Sequence, residues 1–337
     1  MIKIAIDAMG GDYAPKEQVE GALMALKAIP DLTLTLYGDP QAMAPYLVDH
    51  ERLTVVKTEG IIDMGEKDPI GAIRRNRNSS MAMALSSVRA AEQDAVVSSG
   101  ATQALIAGAH MLIGRMKAMK RTAIAPLIPK VTDGYSILLD TGANLEIKPE
   151  FMVQQAYFAT IYAKEIMAID NPSVGLINIG SEEGKGRELD LAVAQLFKDN
   201  PHINFYGNVE PKQVLDPPCD ILISDGFTAN IVMKTIEGTA KGIGSMMKNE
   251  LYRGVLGKLA LIVSLPNLRR FKKRLAPEEI GGAMIYGLKG VVIKAQGSSK
   301  AVGFYNAIRQ AASVVRQDVI NKVTAVIEGA GERDACT

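Results

Sequence analysis

The chain opens MIKIAIDAMGGDYAPKE: an apolar run from Ile2 to Ile6 stops at Asp7, and Gly10, Gly11 and Asp12 follow before Pro15. The run suits a short strand buried on both faces. Pro15 suits the first turn of a helix, where a missing N–H costs nothing. Two glycines between two carboxylates make a turn that a ligand can approach closely, although such a turn can also do no more than reverse the chain. Recurrence separates these readings. VVSSGATQA leaves a strand at Ser98, Ser99 and Gly100 and enters a helix near Thr102. ILLDTGANLE does the same at Asp140, Gly142 and Asn144, LINIGSEEGKG at Asn178, Gly180 and Glu182, ILISDGFTAN at Ser224, Asp225, Gly226, Thr228 and Asn230, and VIKAQGSSK at Gly297, Ser298 and Ser299. Ser, Asp and Asn are also ordinary helix caps. Six exits with this chemistry are more than capping requires, because open α/β sheets bind ligands beyond the carboxyl ends of their strands.

These turns offer backbone N–H groups at helix starts, hydroxyls and a few cations, which together make a cradle for an anion. Phosphate is such an anion, either on a cofactor or free as a nucleophile that is already largely dianionic at neutral pH. Positioning and oxyanion stabilisation could then replace a histidine base. His50, His110 and His202 all lie outside the turns, and Cys219 precedes an apolar strand in PPCDILIS, so Ser-His-Asp and Cys-His chemistry have little support. No His/Cys spacing suits zinc. Asp7, Asp12, Asp140 and Asp225 could hold a divalent ion, but capping is the simpler role, and no metal is expected.

The elements that must position these turns alternate along nearly the whole chain. Strand-like runs cover 2–6, 32–37, 53–57, 95–98, 123–127, 135–140, 174–179, 203–206, 220–224 and 291–295. Helical patterns cover 15–28, 79–92, 102–118, 149–168, 186–198 and 227–250. Alternation of this kind predicts right-handed crossovers and a mostly parallel sheet. The 337 residues suffice for one large α/β domain. Lys+Arg 38 against Asp+Glu 37 argues against general nucleic-acid binding. Two distant cysteines, and an N-terminus without a signal-like or spanning run, predict a cytoplasmic protein.

Residues 241–280 differ and read as a protruding helical insertion. Leu251, Val255, Leu259 and Ile262 recur at helical spacing, Leu256 widens the apolar face, and Arg269, Arg270, Lys272, Lys273 and Arg274 follow. An apolar helix followed by a basic one predicts peripheral attachment to an anionic membrane. A hairpin packed in a dimer interface is the alternative, and the two are compatible.

DAMGGD, RRNRNSSM, LLDTGAN, GLINIGSEEGKG, SDGFTAN and GSSKAVGFYNAIRQA together resemble the bacterial phosphate acyltransferases of the PlsX family, from Met1 to about residue 325. The resemblance implies a Rossmann-like αβα sandwich of the isocitrate/isopropylmalate dehydrogenase type. It implies an enzyme that makes acyl phosphate from acyl-acyl carrier protein and inorganic phosphate for phospholipid synthesis. It further implies a homodimer, no organic cofactor, and a membrane-bound glycerol-phosphate acyltransferase downstream. By position it carries over Asp7, Gly10, Gly11 and Asp12 as the first active-site turn, Ser79 and Ser80 after the Arg74, Arg75 and Arg77 cluster, and Asp140, Gly142 and Asn144 with Asp225, Gly226 and Asn230 along the same cleft. Lys185 is then the cation near the thioester or phosphate, and the arginine cluster a docking site for the acidic carrier. Ala101, Gln103 and Gln296 depart from the family pattern and hold no assigned role. An NAD-dependent decarboxylating dehydrogenase of the same fold and a non-catalytic membrane-docked scaffold are the alternatives.

Overall fold

The computed structural model describes residues 1–117, 119–252, 254–275 and 281–334. Its strands are β1 Ile2–Asp7, β2 Leu32–Gly38, β3 Leu53–Lys57, β4 Ala95–Ser98, β5 Ala123–Ala125, β6 Leu127–Pro129, β7 Tyr135–Leu139, β8 Ser173–Ile177, β9 Asn204–Val209, β10 Ile221–Ile223, β11 Ala283–Tyr286 and β12 Val291–Lys294. Its helices are α1 Lys16–Ala28, α2 Pro40–Met43, α3 Pro69–Arg75, α4 Ser80–Arg89, α5 Thr102–Leu112, α6 Pro149–Met167, α7 Glu188–Lys198, α8 Gly226–Leu251, α9 Gly254–Leu275, α10 Ala301–Arg316 and α11 Val319–Asp334.

The strands form two sheets. One has the order β3-β2-β1-β4-β12-β11-β5 and the other β6-β7-β10-β8-β9. Most pairings are parallel, as the alternation of strands and helices requires. β11 runs antiparallel to β12 and β5, and β6 antiparallel to β7. β1, β4 and β12 carry apolar residues on both faces and are almost wholly buried, the pattern of strands covered by helices on each side.

The structure differs from the sequence expectation in having two sheets for the one expected and in the helices α2, α3, α10 and α11, which lie outside the expected helical ranges. Two strand differences bear on the sheets. The apolar run 123–127 is not one strand: it breaks at Pro126, with β5 ending the first sheet and β6 edging the second. Proline has no N–H for a ladder, so the chain can change sheets there, while the Pro126 carbonyl still accepts the Leu138 N–H at 3.1 Å. β11 was not expected at all.

The two sheets share a core. Ile4, Ile6, Leu34 and Val97 of the first and Ile137, Leu176 and Ile221 of the second belong to one apolar cluster with Phe158 and Tyr162 of α6 and Phe304 of α10. Phe158 stacks on Tyr286 of β11 at 4.2 Å between ring centroids. α8 and α9 follow one another across Tyr252 and contact each other. Gly226 and Ala229, at the start of α8, are buried. No helix among the described residues is long and apolar enough to cross a membrane.

Candidate active site

Three neighbouring strands of the first sheet end side by side. Asp7 of β1 is in register with Ser98 of β4, and Ser98 with Lys294 of β12. Parallel register forces their exits together, and hydrogen bonds then knit the turns. Ser98 Oγ donates to Asp7 Oδ2 at 2.6 Å. Ser99 Oγ and Gln18 Nε2 both donate to the Gly10 carbonyl at 2.7 Å. The Asp12 N–H reaches the Gly297 carbonyl at 2.9 Å. Gly11 has φ +103°, and a Cβ there would stand 2.6 Å from Ser99 Oγ, so the turn demands glycine twice over. Ser80, the first residue of α4, is buried, and Ser79 caps the same helix by accepting the Ala82 N–H. Burial pushes the Asp7 carboxyl above its ordinary range, against the pull of the Ser80 and Ser98 hydroxyls and the Met9 and Gly10 amides. Gly100 is buried, with its N–H on Ser98 Oγ. Thr102, Ser298 and Asp12 are exposed at the mouth.

The second sheet supplies an equivalent group. The buried Asp140, following β7, accepts the N–H groups of Ile124 and Ala143 at 3.0 Å and the Asn144 N–H at 2.8 Å. The Asn144 side chain adds a bond to Asp140 at 2.7 Å and another to the Thr122 carbonyl at 2.5 Å. Burial still raises the Asp140 carboxyl pKa. The Asn144 carbonyl in turn accepts the Gly226 N–H at 2.8 Å, so the β7 exit is fastened to the start of α8. A Cβ on Gly226 would lie 2.4 Å from that carbonyl, and only glycine permits the approach. Asn230, one turn into α8, lies over Gly142: its Nδ2 is 3.1 Å from where a Gly142 Cβ would stand. Its Oδ1 is buried without a hydrogen-bond partner, as is Ser224 Oγ.

Asp225 is the N-cap of α8, accepting the Phe227 and Thr228 N–H groups at 3.1 and 2.9 Å and the Thr228 hydroxyl at 3.0 Å. Burial alone would raise its pKa; the Thr228 amide, the Arg187 guanidinium and the Thr228 hydroxyl outweigh it and hold the carboxyl below its ordinary range. Arg187 pairs with both Asp225 and Asp190. It comes from the same loop as Lys185, which is exposed and whose carbonyl accepts Asn178 Nδ2 at 2.8 Å.

Two further cations were not anticipated from sequence. Lys294 is 9% exposed, and burial lowers its pKa to about 8, against the charges of Asp7 and Asp12 and with that of Lys234. Lys234, one turn beyond Asn230 on α8, adds a like charge that lowers the Lys294 pKa further. The available signal was a lysine closing an apolar strand at a glycine turn in VVIKAQG. Arg187 left no comparable mark, since a loop arginine between Gly186 and Glu188 reads as solvated surface.

Arg74 and Arg75 end α3, and with Arg77 they lie exposed on the segment leading to Ser79 and Ser80; Arg75 pairs with Asp68 at 3.0 Å. Leu251 ends α8 half-buried, and Ile262 of α9 is 63% exposed. The side chains of Val255, Leu256 and Leu259 lie outside the described residues. His110 is satisfied by Thr122 Oγ1 at 2.8 Å, and burial drives the Cys219 thiol up to about 12, so neither is poised for catalysis. Two open depressions, about 380 Å³ beside Arg89 and Lys289 and about 430 Å³ beside His50, contain none of these turns.

Known proteins similar to this chain in sequence share one family. A family profile described as "Fatty acid synthesis protein" matches residues 2–322. A phosphate acyltransferase of Acholeplasma laidlawii is 51% identical over 335 residues, covering 98% of this chain and 100% of that protein. One of Bacillus cereus is 42% identical over 327 residues, covering 97% and 98%. Among solved structures, a phosphotransacetylase from Streptococcus pyogenes superposes with a TM-score of 0.61 at 14% identity, covering 94% of each chain, which speaks for the fold alone. Matched from end to end by such relatives, the chain belongs to the phosphate acyltransferase family of fatty acid synthesis proteins.

Proposed function

We propose that the chain transfers an acyl group from an acyl-acyl carrier protein thioester to inorganic phosphate, giving acyl phosphate and free carrier thiol. What supports this reading is two rows of strand exits rich in amides and hydroxyls, Asp7 to Asp12 with Ser98 to Gly100 at the first sheet and Asp140 to Asn144 with Asp225 to Asn230 at the second. The second row is bonded to the first sheet where Asp140 accepts the Ile124 N–H. Helix starts, hydroxyls and amides on both rows bind an anion and hold the carbonyl in line with it. Phosphate attacks the thioester carbon, the C–S bond breaks, and the carrier sulfur leaves as thiolate that takes a proton. Lys185, Asn230 and backbone donors share the oxyanion; preorganised donors of this kind contribute the largest part of acyl-transfer catalysis.

The whole chain serves as one α/β domain with a helical appendage. The exposed arginines 74, 75 and 77 at the rim dock the acidic carrier protein. The hairpin joins two copies into a dimer at its base and rests its apolar and basic tip on the anionic inner face of the cell membrane. The acyl phosphate then passes to a membrane-bound glycerol-phosphate acyltransferase. Omitting phosphate from a reaction with palmitoyl-carrier protein tests the reading: carrier thiol should appear only when phosphate is present, and equal release without phosphate would refute it.

A further inference from the structure

Lys294 is the buried charge that this scheme leaves unused. Its strand register sets it beside Ser98, which stands beside Asp7, so three adjacent strands end in a row of carboxylate, hydroxyl and amine. Lysine is almost never so buried unless paired. Here Nζ donates to the Ala295 carbonyl at 2.5 Å and the Ser99 carbonyl at 3.4 Å, and no ion pair engages it among the described residues. An ammonium has three N–H donors, so one remains beyond these two carbonyls. We propose that Lys294 is the buried cation that receives the phosphate anion between the exits of β1, β4 and β12. The inference rests on the acyl-transfer reading given above.

Two neutral carbonyls do not repay the desolvation of an ammonium, so the amine stands near its point of deprotonation at about 8. A phosphate dianion beside it favours the charged form. Binding therefore draws a proton onto the amine. The charged groups facing it are Asp7 and Asp12 from the β1 turn and Lys234 from α8. The β4 exit contributes Ser98, Ser99 and Gly100, without charge. Lys300, at the start of α10, is engaged by Glu17 at 3.6 Å and the Tyr13 ring. Asp7 is the rival proton acceptor, because burial already raises its pKa and an anion would raise it further.

Calorimetric titration of inorganic phosphate near pH 8, in two buffers of different ionisation enthalpy, distinguishes these groups. The wild type should take up a fraction of a proton per phosphate bound. Lys294→Met should bind phosphate roughly 10- to 100-fold more weakly, the loss of one charge-assisted hydrogen bond, and without proton uptake. Lys294→Arg is permanently charged, and should bind phosphate without proton uptake. Thermal melts verify that each variant is folded. Wild-type affinity in Lys294→Met, or undiminished uptake in Lys294→Arg, would overturn the assignment, the latter by giving the proton to Asp7. Either result would leave acyl transfer standing, since that is read separately from phosphate-dependent thiol release by the wild type.

Discussion

Lys185 and Asp225, two residues of the proposed site, are held very differently. Asp225 is fixed by four donors and is part of the scaffold as the cap of α8. Lys185 is exposed on a glycine-flanked loop, its side chain lying over Gly180, and contributes little to stability. Lys185→Ala should therefore lower kcat by roughly 10²–10³, the effect of losing one oxyanion donor, while the melting temperature stays within a degree or so. A folded variant within a few-fold of wild-type turnover would remove Lys185 from the mechanism. The residues most legible in sequence were those that make turns, because glycine and small polar side chains at strand exits leave a local signature. Lys294 and Arg187 were not legible, because their importance depends on what tertiary contact buries or pairs them.

At the scale of elements, the junction between β7 and α8 holds the second half of the site. The Gly226 N–H bonds to the Asn144 carbonyl, and Asn144 bonds to Asp140, so the helix start, the turn and the strand end are one unit. Gly226→Ala puts a methyl 2.4 Å from backbone, which cannot rotate away. We expect a loss of about 1–3 kcal/mol, as for overpacking elsewhere, seen as a lower melting temperature and a kcat loss greater than any change in carrier KM. Unchanged stability would mean that α8 can slide without disturbing the turn. The elements themselves were mostly readable, since short apolar runs such as Ile2–Asp7 and Ala95–Ser98 can be little else than buried strands. β5 and β6 were not separable by apolar pattern, because both halves of the run are apolar and only Pro126 marks the change of sheet. β11 is four residues long and follows a basic stretch, too short to declare itself without its partners β12 and β5.

For the whole molecule, α8 starts at the proposed site and leads to α9, so one helix links the site to the segment we assign to the membrane. Ile262 and Val263 on α9 are 63% and 80% exposed, an arrangement that water alone does not reward. Replacing both by Glu should release the protein from anionic vesicles in a sedimentation assay and leave carrier turnover in solution near wild type, since each buried aliphatic side chain is worth about 1.5–3 kcal/mol of partitioning. Vesicle binding that survives in the folded variant would exclude the membrane role of α9. Loss of the dimer in its place would assign the surface to a second copy of the chain.

In the proposed reaction free phosphate is the nucleophile, held between the two sheet edges. Phosphorus NMR of a mixture of enzyme, palmitoyl-carrier protein and inorganic phosphate, with carrier thiol measured in parallel, tests it most directly. An acyl phosphate signal should grow in equal amount with free thiol as the inorganic phosphate signal falls. Thiol release with the phosphate signal unchanged would mean that water attacks the thioester, and would contradict it.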